Sequence, residues 1–126
     1  MSVPSDRKYL ETHEWHQLEG DVVTIGITQV AADELTDITY VQLPKTGSSV
    51  SAGEPFGEIE SVKATAELVS GIDGKVVAVN ETLSANPGQI NHDPFAGGWM
   101  IKVRVADASS VNKMLSADEY DKLSAH

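Results

Sequence analysis

Apolar residues alternate with polar ones in runs of four to seven positions, and Gly, Pro or Asn lies close to the end of most runs. Period-two alternation sends successive side chains to opposite faces of a strand, so each run predicts a short β-strand. Residues 21–27 place Val23, Ile25 and Ile27 on one face and Val22, Thr24 and Gly26 on the other. Residues 38–43 form the next strand, stopped by Pro44 and a turn at Lys45-Thr46-Gly47. Residues 56–62 and 64–69 read as a hairpin with Lys63 at the bend, and 76–79 resumes after a turn at 71–74. In 99–105, Trp99, Ile101, Val103 and Val105 alternate with Met100, Lys102 and Arg104, the pattern of a half-buried strand. Pro87-Gly88 and Asn91-His92-Asp93-Pro94 mark a long loop.

Helical signals are few. Thr28 is placed to N-cap a short helix reaching Leu35. In the tail, Ser109 or Ser110 caps one turn, and Ser116 with Glu119 makes a capping box that opens a helix through Leu123. Such helices are too short for a parallel α/β sheet, so the pattern indicates a mainly β sandwich or flattened barrel. A length of 126 residues fits one domain, 1–126, with a core over about 9–106 and a helical tail over about 107–126. Ser51-Ala52-Gly53 before Glu54-Pro55-Phe56, and Ser84-Ala85-Asn86 before Asp93-Pro94-Phe95, form a short echo of the kind quasi-two-fold symmetry produces.

Composition narrows the function. The net charge of −10 repels phosphate backbones and anionic membranes, which disfavours nucleic-acid and membrane roles and favours partners with basic faces. No apolar run has the roughly 18–20 residues of a membrane span. Met1 to Arg7 is polar and has neither an apolar signal core nor a long Arg-rich transit pattern, so the expected compartment is the cytoplasm, or the mitochondrial matrix after removal of a transit peptide. There is no cysteine, so disulfides, thiol nucleophiles and thiolate metal sites are excluded. Any sulfur chemistry must come from an attached group.

Lys63 is the residue to explain. Its segment reads Gly57-Glu58-Ile59-Glu60-Ser61-Val62-Lys63-Ala64, with acids on one side and small or apolar residues around the lysine. A hairpin tip fixes a side chain's base while leaving its end free, which suits an amine that one enzyme modifies and others then visit. Tight turns ordinarily favour Gly or Asn, so Val62-Lys63 is a poor choice on turn chemistry alone. Glu58 and Glu60, two apart on a strand, share one face and read as a solvated docking surface rather than an acid–base pair.

The segment Glu60-Ser61-Val62-Lys63-Ala64 resembles the lipoylation site of glycine cleavage H proteins. So do His13-Glu14-Trp15, Gly26-Ile27-Thr28, Val41-Gln42-Leu43-Pro44, Gly71 to Val76, Val79-Asn80, Asn91 to Phe95 and Gly98 to Lys102, all in family order from about Tyr9 to Leu123. Lipoyl domains of 2-oxoacid dehydrogenases usually carry Asp-Lys-Ala at the tip and biotinyl domains Met-Lys-Met, which Val62-Lys63-Ala64 does not match. The resemblance implies a barrel-sandwich hybrid, two antiparallel sheets packed as a flattened sandwich with Lys63 on an exposed hairpin. It implies lipoate bound covalently to Lys63, with Glu58, Glu60, Ser61, Val62 and Ala64 read by the lipoate ligase or the octanoyl or lipoyl transferase. It further implies three partners: the pyridoxal-phosphate glycine decarboxylase (P protein), the aminomethyltransferase (T protein) and dihydrolipoyl dehydrogenase (L protein). The carrier would shuttle an aminomethyl group among them without catalysing a step.

In that family the loaded arm folds into a cleft, and the matching positions here are Thr12, Glu14 and Glu67. A carboxylate beside a hydroxyl suits a cationic aminomethyl group. The sequence departs from the family pattern at Glu67 (more often Asp), Thr36 (often Gly), Val30 (often aromatic) and Gly71 (often Pro). Other readings are an H-like lipoyl donor or relay to other complexes, a lipoyl domain of a 2-oxoacid dehydrogenase, and a stand-alone enzyme using Glu14 and Glu67. His13-Glu14-Trp15-His16 is one residue short of a zinc HExxH motif, His92 and His126 are isolated, and Trp15 and Trp99 read as core or cleft-wall aromatics.

Overall fold

A computed structural model describes residues 3–124; His126 lies outside them. In chain order the elements are β1 (Lys8–Tyr9), β2 (Glu14–Glu19), β3 (Val22–Ile27), α1 (Gln29–Leu35), β4 (Ile38–Gln42), β5 (Ser49–Val50), β6 (Pro55–Ser61), β7 (Thr65–Val69), β8 (Gly74–Val79), α2 (Thr82–Ala85), α3 (Gln89–His92), β9 (Ile101–Arg104), a 3-10 helix (Ala108–Lys113) and α4 (Ala117–Ser124). The strands form two antiparallel sheets, a six-stranded one ordered β1-β2-β3-β9-β8-β5 and a three-stranded one ordered β4-β6-β7. This is the expected mainly β sandwich with short peripheral helices, and the sheets do not close into a barrel.

Apolar alternation builds the core. Val23, Ile25, Ile101 and Val103 are fully buried on the large sheet, and Ile59 and Leu68 are buried on the small one. Leu43 and Phe56 pack against both clusters and join the sheets. Each such side chain contributes about 1.5–3 kcal/mol on leaving water. Gly26 on β3 has its own reason: Trp15 lies over it, and a Cβ there would stand 2.6 Å from the indole.

Several expectations change on contact with the fold. Residues 8–9 and 14–19 form β1 and β2, which alternation missed because the inward positions of β2 include Glu14 and His16, both buried. The long loop at 87–94 contains α3, and α2 precedes it; four-residue helices carry no period to read. The strand over 99–105 shortens to Ile101–Arg104, and Met100, expected on the polar side, is fully buried in the cluster with Leu83 and Ile90. Asp107, not Ser109 or Ser110, caps the 3-10 helix, accepting from Ser109 N at 3.1 Å. The capping box at Ser116 and Glu119 forms in both directions, at 2.9 and 3.2 Å. The two halves of the short echo do not share a structure: Ser51-Ala52-Gly53 is a turn ahead of β6, whereas Ser84 and Ala85 end α2.

Thr28 caps α1 as expected, accepting from Ala31 N at 3.4 Å. The helix stops at Thr36, where φ is 61° and ψ −140°. That backbone region is close to glycine's own and costs a β-branched residue on the order of 1–3 kcal/mol. The frequent Gly of the resembled family therefore has a physical cause here. Thr36→Gly should raise stability by about 1 kcal/mol, the relieved strain being offset in part by glycine's larger unfolded-state entropy. A urea midpoint that rises with an unchanged slope would register it; a lower midpoint would show that Thr36 is not strained.

Candidate functional site

The hairpin of β6 and β7 carries Lys63 at its tip. Ser61 N donates to Ala64 O at 2.8 Å, closing a two-residue turn. The Ser61 hydroxyl accepts from Lys63 N at 3.2 Å and Ala64 N at 3.0 Å. Among the described non-glycine residues only His13 and Thr36 have positive φ, so Val62 and Lys63 bend without the left-handed backbone that glycine turns need. The apparent conflict between turn chemistry and Val62-Lys63 is thus resolved by Ser61, whose side chain ties the backbone N–H groups of the bend.

Val62 is 69% exposed, and Lys63 is exposed as well. Lys63 Nζ donates to the Glu34 carbonyl at 3.1 Å, and among the described residues no carboxylate lies within salt-bridge range of it. The acceptor is at the C-terminal end of α1, whose last turn has no basic residue of its own, and a cation is favoured there. Val62 N donates to Asp37 O at 3.1 Å, which ties the tip to the start of β4. An open amine on a fixed base is what an acylating enzyme requires.

Glu58 and Glu60 are exposed on β6, and Glu58 stands directly across from Glu67 on β7. Like charges in register weaken a sheet, so this face holds an acidic surface at some cost. Glu60 pairs across β4 with Tyr40, which is 51% exposed. Glu67 also lines a shallow depression of about 260 Å³ with Pro44, Pro55 and Phe56.

Thr12 and Glu14 come together where β1 turns into β2. His13 at φ 78° closes that turn, with its N–H on Leu10 O at 3.0 Å. The Thr12 hydroxyl hydrogen-bonds Glu14 Oε1, and Glu14 Oε2 accepts from Val69 N at 2.8 Å. Glu14 therefore clamps β2 of the large sheet to the end of β7. Its carboxyl is buried, which pushes its pKa up against the opposing pull of Thr12 and Val69. Among the described residues no hydrogen bond joins Glu67 to this pair; it lies on β7 between Lys63 and Val69, roughly 13 Å from the tip at ~3.3 Å per residue. A flexible arm running back along β7 would pass Glu67 before reaching Glu14 and Thr12.

Three features escaped the sequence reading. His16 is buried on β2 and accepts from Gly71 N at 3.0 Å through Nε2. This contact needs the N–H that a proline at position 71 would lack. Asn91, placed in the expected loop, instead braces the end of α1. Tyr120 of α4 hydrogen-bonds His13 Nδ1 at 2.5 Å and Thr28 Oγ1 at 2.7 Å, docking the tail beside the Thr12–Glu14 turn. Only the His13-Glu14-Trp15 segment hinted at this cluster. Trp15 is a core residue, donating to Pro94 O at 2.9 Å, and Trp99 is half-buried under Lys102. Among the described residues no group of three or more His, Asp or Glu is arranged to hold a metal, and no helix is long and apolar enough to cross a membrane.

Residues 7–126 match the model of the family described as glycine cleavage H-protein. The chain is 50% identical over 123 residues to the glycine cleavage system H proteins of Bacillus mycoides (strain KBAB4) and Bacillus anthracis (strain A0248), covering 98% of this chain and 97% of each relative. Its fold is similar to the crystal structure of a glycine cleavage system H protein from Mycobacterium marinum, with a TM-score of 0.90, 38% identity, and coverage of 98% of this chain and 100% of that one.

Proposed function

This chain belongs to the glycine cleavage H-protein family, the lipoyl-bearing carriers of glycine cleavage, and on that premise we propose that Lys63 is its point of lipoyl attachment. The observation that carries the assignment is the exposed Nζ at the β6–β7 tip, hydrogen-bonded to a main-chain carbonyl rather than paired with an acid. An amine in that setting sheds one weak contact to be acylated. When bound, the lipoyl group supplies the reducible disulfide that this cysteine-free chain lacks and carries the aminomethyl group between enzymes. The protein's own part is tethering, which raises the local concentration of the cargo at each partner, rather than bond-making.

Glu58, Glu60, Ser61, Val62 and Ala64 surround the amine and form the surface that a lipoate ligase or an octanoyl or lipoyl transferase would read. Ser61 sets the shape of the bend, and Glu58 and Glu60 present charge to a basic face. The same acidic surface suits transient docking to the glycine decarboxylase, the aminomethyltransferase and dihydrolipoyl dehydrogenase, with the cytoplasm as the working compartment. Peptide mapping of protein from lipoate-supplied cells should find one lipoyl group, on the peptide that contains Lys63. A modified protein with Lys63 free would overturn the assignment.

Thr12, Glu14 and Glu67 receive the loaded arm in this reading. A buried carboxylate whose charge is disfavoured by desolvation gains most when a cation arrives, and Glu14 retains unused acceptor capacity for an aminomethyl ammonium. Glu67, exposed and nearer the tip, meets the arm on its way. Glu14→Ala should leave modification of Lys63 intact and shorten the lifetime of the carried aminomethyl group by about tenfold, the worth of one charge-assisted hydrogen bond. Release of ammonia from the loaded protein measures it, and equal lifetimes in variant and wild type would remove Glu14 from the protective role.

A further inference from the structure

The corner between α1 and β4 has no apolar residue of its own to hold it. Thr36 and Asp37 are both exposed, and Thr36 has the strained backbone described above. Yet this corner touches the hairpin tip twice: Glu34 O accepts from Lys63 Nζ at 3.1 Å, and Asp37 O accepts from Val62 N at 3.1 Å. Besides its backbone bonds, one half-buried side chain from α3 braces the corner. Asn91 Nδ2 donates to Thr36 O at 2.6 Å and to Ala32 O at 3.4 Å, while Asn91 Oδ1 accepts from Ile38 N at 3.0 Å. A single amide thus ties the last turn of α1 to the first residue of β4, using both its donor and its acceptor.

We infer that Asn91 is a positioning residue for Lys63, holding the α1–β4 corner whose carbonyls on Glu34 and Asp37 receive the ε-nitrogen and the backbone of the tip. Asn91 touches neither lysine nor cofactor and acts through the corner. Releasing the corner frees the tip to sample bends that a modifying enzyme cannot engage. Its apparent affinity for the carrier then falls in proportion to the competent fraction, while the step after binding is unchanged. The inference rests on Lys63 being the attachment residue.

The test is the kinetics of lipoate attachment to full-length protein by a lipoate ligase with ATP. Asn91→Ala should raise KM for the carrier by about threefold to tenfold, the worth of one or two hydrogen bonds, and leave kcat within about twofold. Asn91→Ser keeps a small polar side chain whose hydroxyl can hold part of the tie, so an intermediate KM is expected; it carries the test if Asn91→Ala does not fold. Ile25→Val, a fully buried site on the large sheet, is the control for general destabilisation and should leave KM unchanged. An unmoved KM in the Asn91 variants, a fall in kcat alone, or an equal rise in the control would each overturn the inference. If wild type is not modified at Lys63, the attachment reading fails and this inference with it. If wild type is modified and only the KM prediction fails, the attachment reading stands alone.

Discussion

Lys63→Arg should abolish both the added lipoyl mass and any support of glycine cleavage, with no measurable loss of stability. The two halves of that expectation have separate physical grounds. Arginine keeps the positive charge, and its longer planar head can still donate to the Glu34 carbonyl at the end of α1, so the one contact Lys63 makes with the body of the protein survives. The tip itself is held by Ser61 and by Val62 N on Asp37 O, none of which involves the lysine side chain. A guanidinium does not lose its proton in a protein and is not an acyl acceptor for a ligase, so the cofactor has nowhere to attach. Intact mass, a urea melt and a reconstituted glycine cleavage assay read the three outcomes. Glycine cleavage undiminished in the variant would sink the carrier assignment of Lys63, whereas a large fall in the urea midpoint would mean that the lysine is structural.

How far the sequence led depends on which side chains face inward. Where strands bury aliphatic residues, as at Val23, Ile25 and Val103, alternation located them within a residue or two, and the β6–β7 hairpin with Lys63 at its bend was legible to within a residue at each end. Where a strand faces inward with polar groups, alternation was blind: β2 hides Glu14 and His16, so neither the strand nor the Glu14–Val69 clamp had an apolar signature. Family resemblance assigned Thr12 and Glu14 to one cleft, and the structure shows that the two hydrogen-bond, but spacing said nothing of Glu14's burial. The corner at Thr36 was visible only as a departure from a frequent glycine, and its cause emerged from a φ of 61°. Asn91 looked like turn chemistry because Asn-x-Asp-Pro sequences favour turns; that its amide reaches back to α1 is a tertiary fact that no local pattern encodes.

His16 should make the protein acid-sensitive well above the pH at which carboxylates protonate. The ring is 1% exposed, and Nε2 accepts from Gly71 N at 3.0 Å, which places the ring proton on Nδ1. Burial is what disfavours a second proton, and the backbone of Glu14 opposes it only in part. Lys8 is its cross-strand neighbour, and Arg7 and Asp6 line the same small cavity, with Asp6 already paired to Arg7 at 2.9 Å. Burial pushes the His16 pKa down to about 3, so the unfolded chain, near 6.5, takes up the proton first. Stability owed to neutral His16 is therefore complete above about pH 6.5 and is lost progressively as pH falls toward 3, reaching about 2 kcal/mol by pH 5. Glu14 works in the opposite sense: burial raises its pKa, so protonating it on acidification returns part of what ionisation costs the fold. His16→Gln separates the two, since glutamine still offers an oxygen to Gly71 N–H and does not titrate. Urea unfolding at pH 7 and pH 5 should show wild type losing about 2 kcal/mol more than the variant over that interval. Parallel losses in the two proteins would mean that some other group sets the acid limit, and that the fold does not hold His16 in its neutral form.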